Sequence, residues 1–390
     1  MRAEQATPQS GSGSGSLPTP LVLGFAIASI GGPLALLTLL PDTAGDAIGS
    51  AGLIVILSLA VFAIPLGIWL SFSSTIVSGG GLTAFVQAAV GRRAAVAHGW
   101  LWAFAYFLYL PYTVTFVVYD LLPTVFPGIS AYRAFLELVV PVVIVAVMLV
   151  PIRAMLVGLG LLAAAQLVLM VVLAVIEFSH AGAHLTSHPE LGDTSKATGN
   201  TALLFVCASL PLYLGAEVRG GSKTMQRLLL AAVAVVGAAF LATAIPLAGL
   251  PDELRDAAVP AAAIAQAYSG RGLAVIVGLF TAASTLALII AEYVALARLI
   301  HWLHGPPIKS LLRWIAVPFI AADAISLIDP GRFYDDLLKP SLAALFISQI
   351  VVFAAFPRYR RGSLAIGAAV AASALAVWGL YTLFAGGASS

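Results

Sequence analysis

An all-α protein that crosses a membrane many times is the fold class this sequence predicts, and three observations predict it. Of the 390 residues, 61% are hydrophobic and only 9% are charged, whereas an ordinary soluble domain carries roughly a quarter charged residues. Mean hydropathy is +1.04. Apolar runs long enough to cross roughly 30 Å of hydrocarbon recur almost end to end. No soluble core hides that much apolar surface, so residues 18–390 read as one integral membrane domain.

Residues 1–17, built around Gln9-Ser10-Gly11-Ser12-Gly13-Ser14-Gly15-Ser16, have the Gly/Ser composition of a disordered tail. The first apolar run starts near Pro18 with no basic region directly before it, unlike a signal peptide. The predicted spans are 19–40, 51–73, 96–120, 133–150, 154–177, 200–218, 228–250, 272–297, 312–328, 338–356 and 363–385, about eleven in all. The ninth is the shortest, and Pro151-Ile152-Arg153 separates the fourth from the fifth.

With the N-terminus cytoplasmic, 13 of the 19 Lys and Arg residues fall on the inner side, among them Arg92, Arg93, Arg153, Arg219 and Lys223. Arg133, Lys196, Arg255, Arg271, Arg332 and Lys339 fall outside. The positive-inside rule therefore predicts a multi-pass protein of the cytoplasmic (inner) membrane, N-terminus inside and C-terminus outside. The segments 80–91 and 259–268 are too short to cross and are predicted as non-spanning helices, the first inside and the second outside.

Two spans are interrupted at matching places. The first contains Ala28-Ser29-Ile30-Gly31-Gly32-Pro33, and the sixth contains Cys207-Ala208-Ser209-Leu210-Pro211-Leu212-Tyr213-Leu214-Gly215. Proline has no N–H for the carbonyl four residues back, so Pro33 and Pro211 are expected to free the carbonyls of Ser29 and Cys207. Irregular backbone at mid-membrane depth persists only where it is packed in protein or lines a wet cavity. Equivalent breaks in spans one and six predict two five-helix halves, about 18–178 and 199–356, related as inverted repeats, with one extra helix at 363–385. A solute site is then expected between the breaks, where helix N-termini attract anions and freed carbonyls attract cations.

The same residues resemble the amino acid–polyamine–organocation superfamily, whose fold is the five-plus-five inverted repeat called LeuT-like. Ser29-Ile30-Gly31-Gly32 resembles its first-helix signature, and Gly80-Gly81-Leu82-Thr83-Ala84-Phe85-Val86 followed by Gly91 its motif after the second helix. Gly99-Trp100-Leu101-Trp102 is similar to the opening of its third helix, and Leu214-Gly215-Ala216-Glu217 to the close of its sixth-helix break. The likeness covers most of 18–358. Gly-Gly-Pro and Ser-Leu-Pro-Leu-Tyr depart from the family pattern where solute would sit.

The resemblance implies secondary active transport of an amino acid or related small organic amine by alternating access. It implies that backbone at Ser29, Ile30, Gly31 and Gly32 binds a carboxylate and that Ala208, Ser209 and Leu210 offer carbonyls to an amine. Tyr213 and Tyr106 would be pocket or gating aromatics, with Tyr109 a further candidate. Ser284-Thr285 resembles a sodium site completed by first-helix backbone at Ile27 and Ile30, so Na⁺ or H⁺ is the expected coupling ion and no cofactor is expected. A lysine on the fifth helix, which serves proton-coupled relatives, is missing from 154–177, where only Gln166 and Glu177 are polar and ionisable candidates.

Glu217, Glu292 and Asp323 are the intramembrane or near-membrane acids singled out by sequence as candidates for a proton relay, with pairing of Glu292 or Glu217 with Arg298 or Arg219, and an outer-interface position for Asp323, as equal alternatives. His180, His184 and His188 recur every four residues, but their Ser- and Gly-containing surroundings predict an external loop rather than a metal site. The lone Cys207 excludes an internal disulfide, and the scattered basic residues exclude a nucleic-acid stripe. The expected partners are a small-molecule solute and the lipid bilayer; the oligomeric state is left open. No phosphate-binding loop of the ATPase type is present. A channel, a transport-inactive sensor or a membrane-embedded enzyme are the alternatives, the last lacking a catalytic cluster at either interface.

Overall fold

The computed structural model describes residues 15–186 and 191–385. Its helices in chain order are α1 (Thr19–Ser29), α2 (Pro33–Ala44), α3 (Ala51–Ser73), α4 (Gly81–Val90), α5 (Arg92–Phe116), α6 (Leu122–Val125), α7 (Arg133–Leu149), α8 (Ile152–Ala181), α9 (Leu191–Leu203), α10 (Gly221–Leu247), α11 (Asp252–Arg255), α12 (Pro260–Ser269), α13 (Arg271–His304), α14 (Ile308–Ser326), α15 (Pro330–Tyr359) and α16 (Ser363–Ala385).

Among the described residues nine stretches are long and apolar enough to cross a membrane. The first, Thr19–Ser73, runs for 55 residues through α1, α2 and α3 and is long enough for two crossings. The predicted ninth span corresponds to α14, whose 19 residues include Lys309, Arg313 and Asp323 and which falls outside the nine. The predicted third span is α5 continued through a π-helical turn at Val117–Leu121 into α6. The two segments too short to cross form α4 and α12.

Both predicted interruptions are present, but they differ in kind. Between α1 and α2 the chain leaves helical geometry at Gly31 (φ 93°) and Gly32 (φ 71°), left-handed values that favour glycine. Pro33 then starts α2, where its missing N–H costs nothing. The first span is thus interrupted where the sequence predicts, by a full restart of the helix at Pro33. In the sixth span, α9 ends at Leu203 and the chain continues as a 3-10 helix through Leu204–Glu217, 14 residues long. Runs of 3-10 helix beyond three or four residues are uncommon and mark strain or a hinge. Pro211 sits inside this run, where tighter winding replaces the unwound break expected at Cys207–Gly215.

The two halves meet through equivalent helices: α1 packs on the 3-10 segment of the sixth span, α3 on α10, α5 on α13, and α7 on α14. This is the pairing that an inverted repeat requires. At one end of the bundle the chain before α1 is also anchored. Leu17, 1% exposed, forms an isolated bridge with Val218, its N–H donating to Glu217 O (2.9 Å) and its carbonyl accepting from Arg219 N (3.1 Å). The end of the expected tail is therefore ordered, because an apolar side chain and an extended neighbour were available to it. Residues 1–14 lie outside the described residues, as does His188.

Candidate functional site

A cavity of about 470 Å³ opens beside the break between α1 and α2. Ile30 and Gly31 of the break, Tyr106 and Tyr109 of α5, Cys207 of the 3-10 segment, and Thr285, Leu288 and Glu292 of α13 form its deep part. It widens past Asp42, Tyr112 and Tyr334, whose two hydroxyls lie 3.0 Å apart. Most of the wall is apolar or aromatic. Its acidic residues are Glu292 and Asp42, and among the described residues no Lys, Arg or His lines it.

In the floor, the Tyr106 hydroxyl lies 3.7 Å from Cys207 Sγ, and Cys207 Sγ lies 4.0 Å from Glu292 Oε1. Glu292 is fully buried and its Oε2 has no hydrogen-bond partner. The expected pairing of Glu292 with Arg298 does not form. Six residues along a helix turn the side chain by about 240°, and Arg298 instead takes Glu217, with Nε 2.6 Å from Oε1 and Nη2 3.1 Å from Oε2. This two-pronged ion pair ties α13 to the end of the 3-10 segment, next to the Leu17–Val218 bridge. Arg219 is not the partner of Glu217.

The residues singled out by sequence divide into two groups. Ile30, Gly31, Tyr106 and Thr285 line the cavity. Ser29, Ile27, Gly32, Ala208, Ser209, Leu210, Tyr213 and Ser284 stand behind its wall. Ser29 Oγ donates to Ala26 O (2.9 Å) and Ser209 Oγ to Val206 O (3.1 Å), local bonds that keep both hydroxyls on their own helices. Ile27 O accepts from Ile30 N at 3.4 Å. The tighter 3-10 winding brings Val206 and Cys207, not residues 208–210, to the cavity. Tyr213 is fully buried with its ring 4.4 Å from that of Trp102, and a Cβ on Gly81 would meet the same ring at 2.6 Å. Its ring thus packs between Trp102 of α5 and Gly81 of α4.

Ser284 occupies a junction. Its Oγ lies 2.8 Å from Gly31 O and 2.7 Å from Gln166 Oε1 of α8, and both side chains are buried. Thr285 Oγ1 donates to Thr281 O (3.1 Å) within α13. A Cβ on Gly32 would fall 2.1 Å from Ser284 Oγ, which is why this position is closed to larger residues.

Sequence reasoning missed Gln166 as a partner of the break and, although it placed the appended helix at 363–385, missed that α16 lines the cavity. Gly379, Thr382 and Leu383 line the wide part of the cavity, and Trp378 Nε1 donates to Asn200 Oδ1 of α9 at 3.0 Å. The small residue at 379 and the indole beside it were the available signals. His180 stacks on Tyr268 with centroids 4.0 Å apart, and the His184 ring lies 2.7 Å from Ala181 O.

No protein-family model and no curated protein matches the chain. Solved structures do. MhsT in complex with L-phenylalanine superposes with a TM-score of 0.63 at 14% identity, covering 93% of this chain and 98% of the other. The fold is LeuT-like. Mhp1, a nucleobase-cation-symport-1 family transporter with bromovinylhydantoin bound, gives 0.58 at 13% identity over 95% of this chain and 91% of the other. The manganese transporter of Eremococcus coleocola, in complex with an aromatic bis-isothiourea compound, gives 0.56 at 12% identity over 99% and 92%. At these identities the likeness establishes the five-plus-five architecture expected from the sequence.

Proposed function

We propose that this chain is a secondary transporter that moves an amino acid or a related small organic amine across the cytoplasmic membrane by alternating access, N-terminus inside and C-terminus outside. The observation that carries this reading is the lining of the cavity: the Glu292 carboxyl at the floor, aromatic rings above it, and no basic side chain. An ammonium group finds a carboxyl there, and Tyr106 and Tyr109 on the wall suit a cation or an apolar body. Ala35 in the first turn of α2 lines the same cavity, and a helix N-terminus favours a carboxylate. The solved structures of the same fold include one holding L-phenylalanine and two described as transporters, which supports transport as the general activity.

Coupling to Na⁺ is part of the proposal. Gly31 O, Ser284 Oγ and Gln166 Oε1 converge with a single hydroxyl proton among them, and hard oxygen ligands suit such a cation. Turning the Gln166 amide so that Nε2 donates to Ser284 would satisfy the same atoms without an ion, and Nε2 is otherwise unpartnered. Sodium would then select between two states of this junction. A thermal-shift screen of amino acids, polyamines and organic cations, with and without Na⁺, followed by uptake of hits into proteoliposomes, tests the reading. Stabilisation by at least one amine and its concentrative uptake are expected. Absence of binding across the panel, or ion currents far above carrier rates in planar bilayers, would overturn it.

A further inference from the structure

Away from the cavity, the buried face shared by α5, α7 and α14 holds a second polar cluster. Glu137 of α7 and Asp323 of α14 are both fully buried. Glu137 Oε1 accepts from Thr115 Oγ1 of α5 at 2.5 Å and from Ser326 Oγ of α14 at 2.6 Å. Asp323 stands one helical turn before Ser326, whose Oγ lies 2.6 Å from both Glu137 Oε1 and the Asp323 main-chain carbonyl. Both oxygens of Asp323 and Oε2 of Glu137 lack any hydrogen-bond partner. None of these four residues lines the solute cavity.

No ion pair reaches either carboxyl among the described residues. None of the charged and titratable groups around the cluster bonds to either carboxyl, although Arg133 Nε is itself unpartnered. On α7, Arg133 sits one turn from Glu137, but its guanidinium lies 5.5 Å from the Tyr119 ring centroid and donates to Tyr119 O at 3.0 Å. Asp120 follows Tyr119 on the outer stretch of the α5 span and feels Arg133. From α13, Tyr293 donates to Leu312 O at 2.5 Å, and beyond α14 Asp329 accepts from Arg332 N at 3.1 Å.

We propose that Glu137 and Asp323, with Thr115 and Ser326, form a proton-binding site within the packed α5–α7–α14 face, separate from the solute cavity. Two carboxylates closed away from water with no cation beside them cannot both stay charged, since neither hydration nor a counter-charge offsets their burial. The hydroxyls lead to the same conclusion. Ser326 has one proton and two acceptors at 2.6 Å, Glu137 Oε1 and Asp323 O. Thr115 likewise faces Glu137 Oε1 and Pro111 O. A protonated Glu137 can donate to one hydroxyl while accepting from the other, so every proton finds an acceptor. At least one of the two buried carboxyls therefore carries a proton, and the hydrogen-bond geometry favours Glu137.

Infrared spectroscopy of the purified full-length protein at neutral pH tests this through the stretch of protonated carboxyl groups, compared among wild type, Glu137→Gln, Asp323→Asn and the double variant. The amides are isosteric and retain hydrogen bonding. The double variant should lose part of the band, and each single variant should shift what remains. A double-variant band of wild-type intensity would overturn the proposal. If the double variant does not fold, an unshifted band in either single variant would overturn it. Bleaching of the wild-type band by Na⁺ at constant pH would overturn it too, by making the ligand an alkali cation.

Discussion

The Ser284 hydroxyl of α13 stands 2.8 Å from the Gly31 carbonyl, so the break that interrupts the first span is held by a helix of the opposite repeat. Gly31 and Gly32 both lie in the left-handed region, but for different neighbours. A Cβ on Gly31 meets only Leu288 at 4.0 Å, whereas one on Gly32 strikes Ser284 Oγ and Gln166 Oε1. Close approach is therefore the constraint at Gly32, and backbone conformation alone is the constraint at Gly31. Gly32→Ala should lower stability by more than the about 1–2 kcal/mol of a left-handed alanine, and should weaken solute binding at least tenfold. Gly31→Ala should cost little beyond the conformational part. Thermal melts and solute titrations of the two variants in detergent compare them.

Sodium dependence should run through the same junction. Na⁺ is expected to raise the melting temperature of the wild type further when solute is present. Ser284→Ala removes one of three converging oxygens and should abolish that increment while leaving the sodium-free melt within a few degrees. Gln166→Leu removes another oxygen and should act in the same direction. Thr285→Ala, whose hydroxyl is bonded within α13, should keep the sodium increment. Melting curves at matched ionic strength in Na⁺ and choline check all three.

The ion pair of Arg298 and Glu217 closes the end of the bundle where Leu17 docks. Their side chains are 7% and 31% exposed, so removing one partner strands a mostly buried charge. Arg298→Gln should destabilise by roughly 1.5–3 kcal/mol, the range of hydrogen bonds to charged groups. Glu217→Gln should raise the accessibility of a cysteine placed at Leu17 to a thiol reagent, if the pair holds that end shut. Unchanged labelling would assign the pair to stability alone.

The appended helix should matter to solute binding. A Cβ on Gly379 would lie 2.8 Å from Leu203 and Phe346, and Trp378 bonds Asn200 of α9. Gly379→Val should displace α16 from the cavity and weaken solute binding several-fold, and Trp378→Phe should do so less, having lost one hydrogen bond of about 1 kcal/mol. Equal affinities in both variants would leave α16 as packing only.

Much of this was legible in the sequence because it depends on local chemistry. Glycine pairs beside a proline announce a break, long apolar runs announce crossings, and matched breaks at spans one and six announce the repeat. The form of the sixth break was not legible, since the choice between unwinding and 3-10 winding at Leu204–Glu217 depends on what packs around it. Partners across the fold were equally hidden. Glu292 and Arg298 are near in sequence but point to different sides of α13, and Gln166 meets Ser284 across 118 positions of sequence. Glu137 drew no notice because its hydroxyl partners come from two other helices.

The most direct test uses Cys207, the single cysteine of the chain, which lines the floor of the cavity. Because Cys207 is buried, a small mercurial in excess, which binds thiols tightly, should modify it slowly in the protein as it stands, and a solute that raises the melting temperature should slow that modification at least tenfold at saturation. Glu292→Gln should abolish the protection by an amine while Cys207 remains reactive. Modification at an unchanged rate with such a stabilising solute bound would contradict a solute site at the break between α1 and α2.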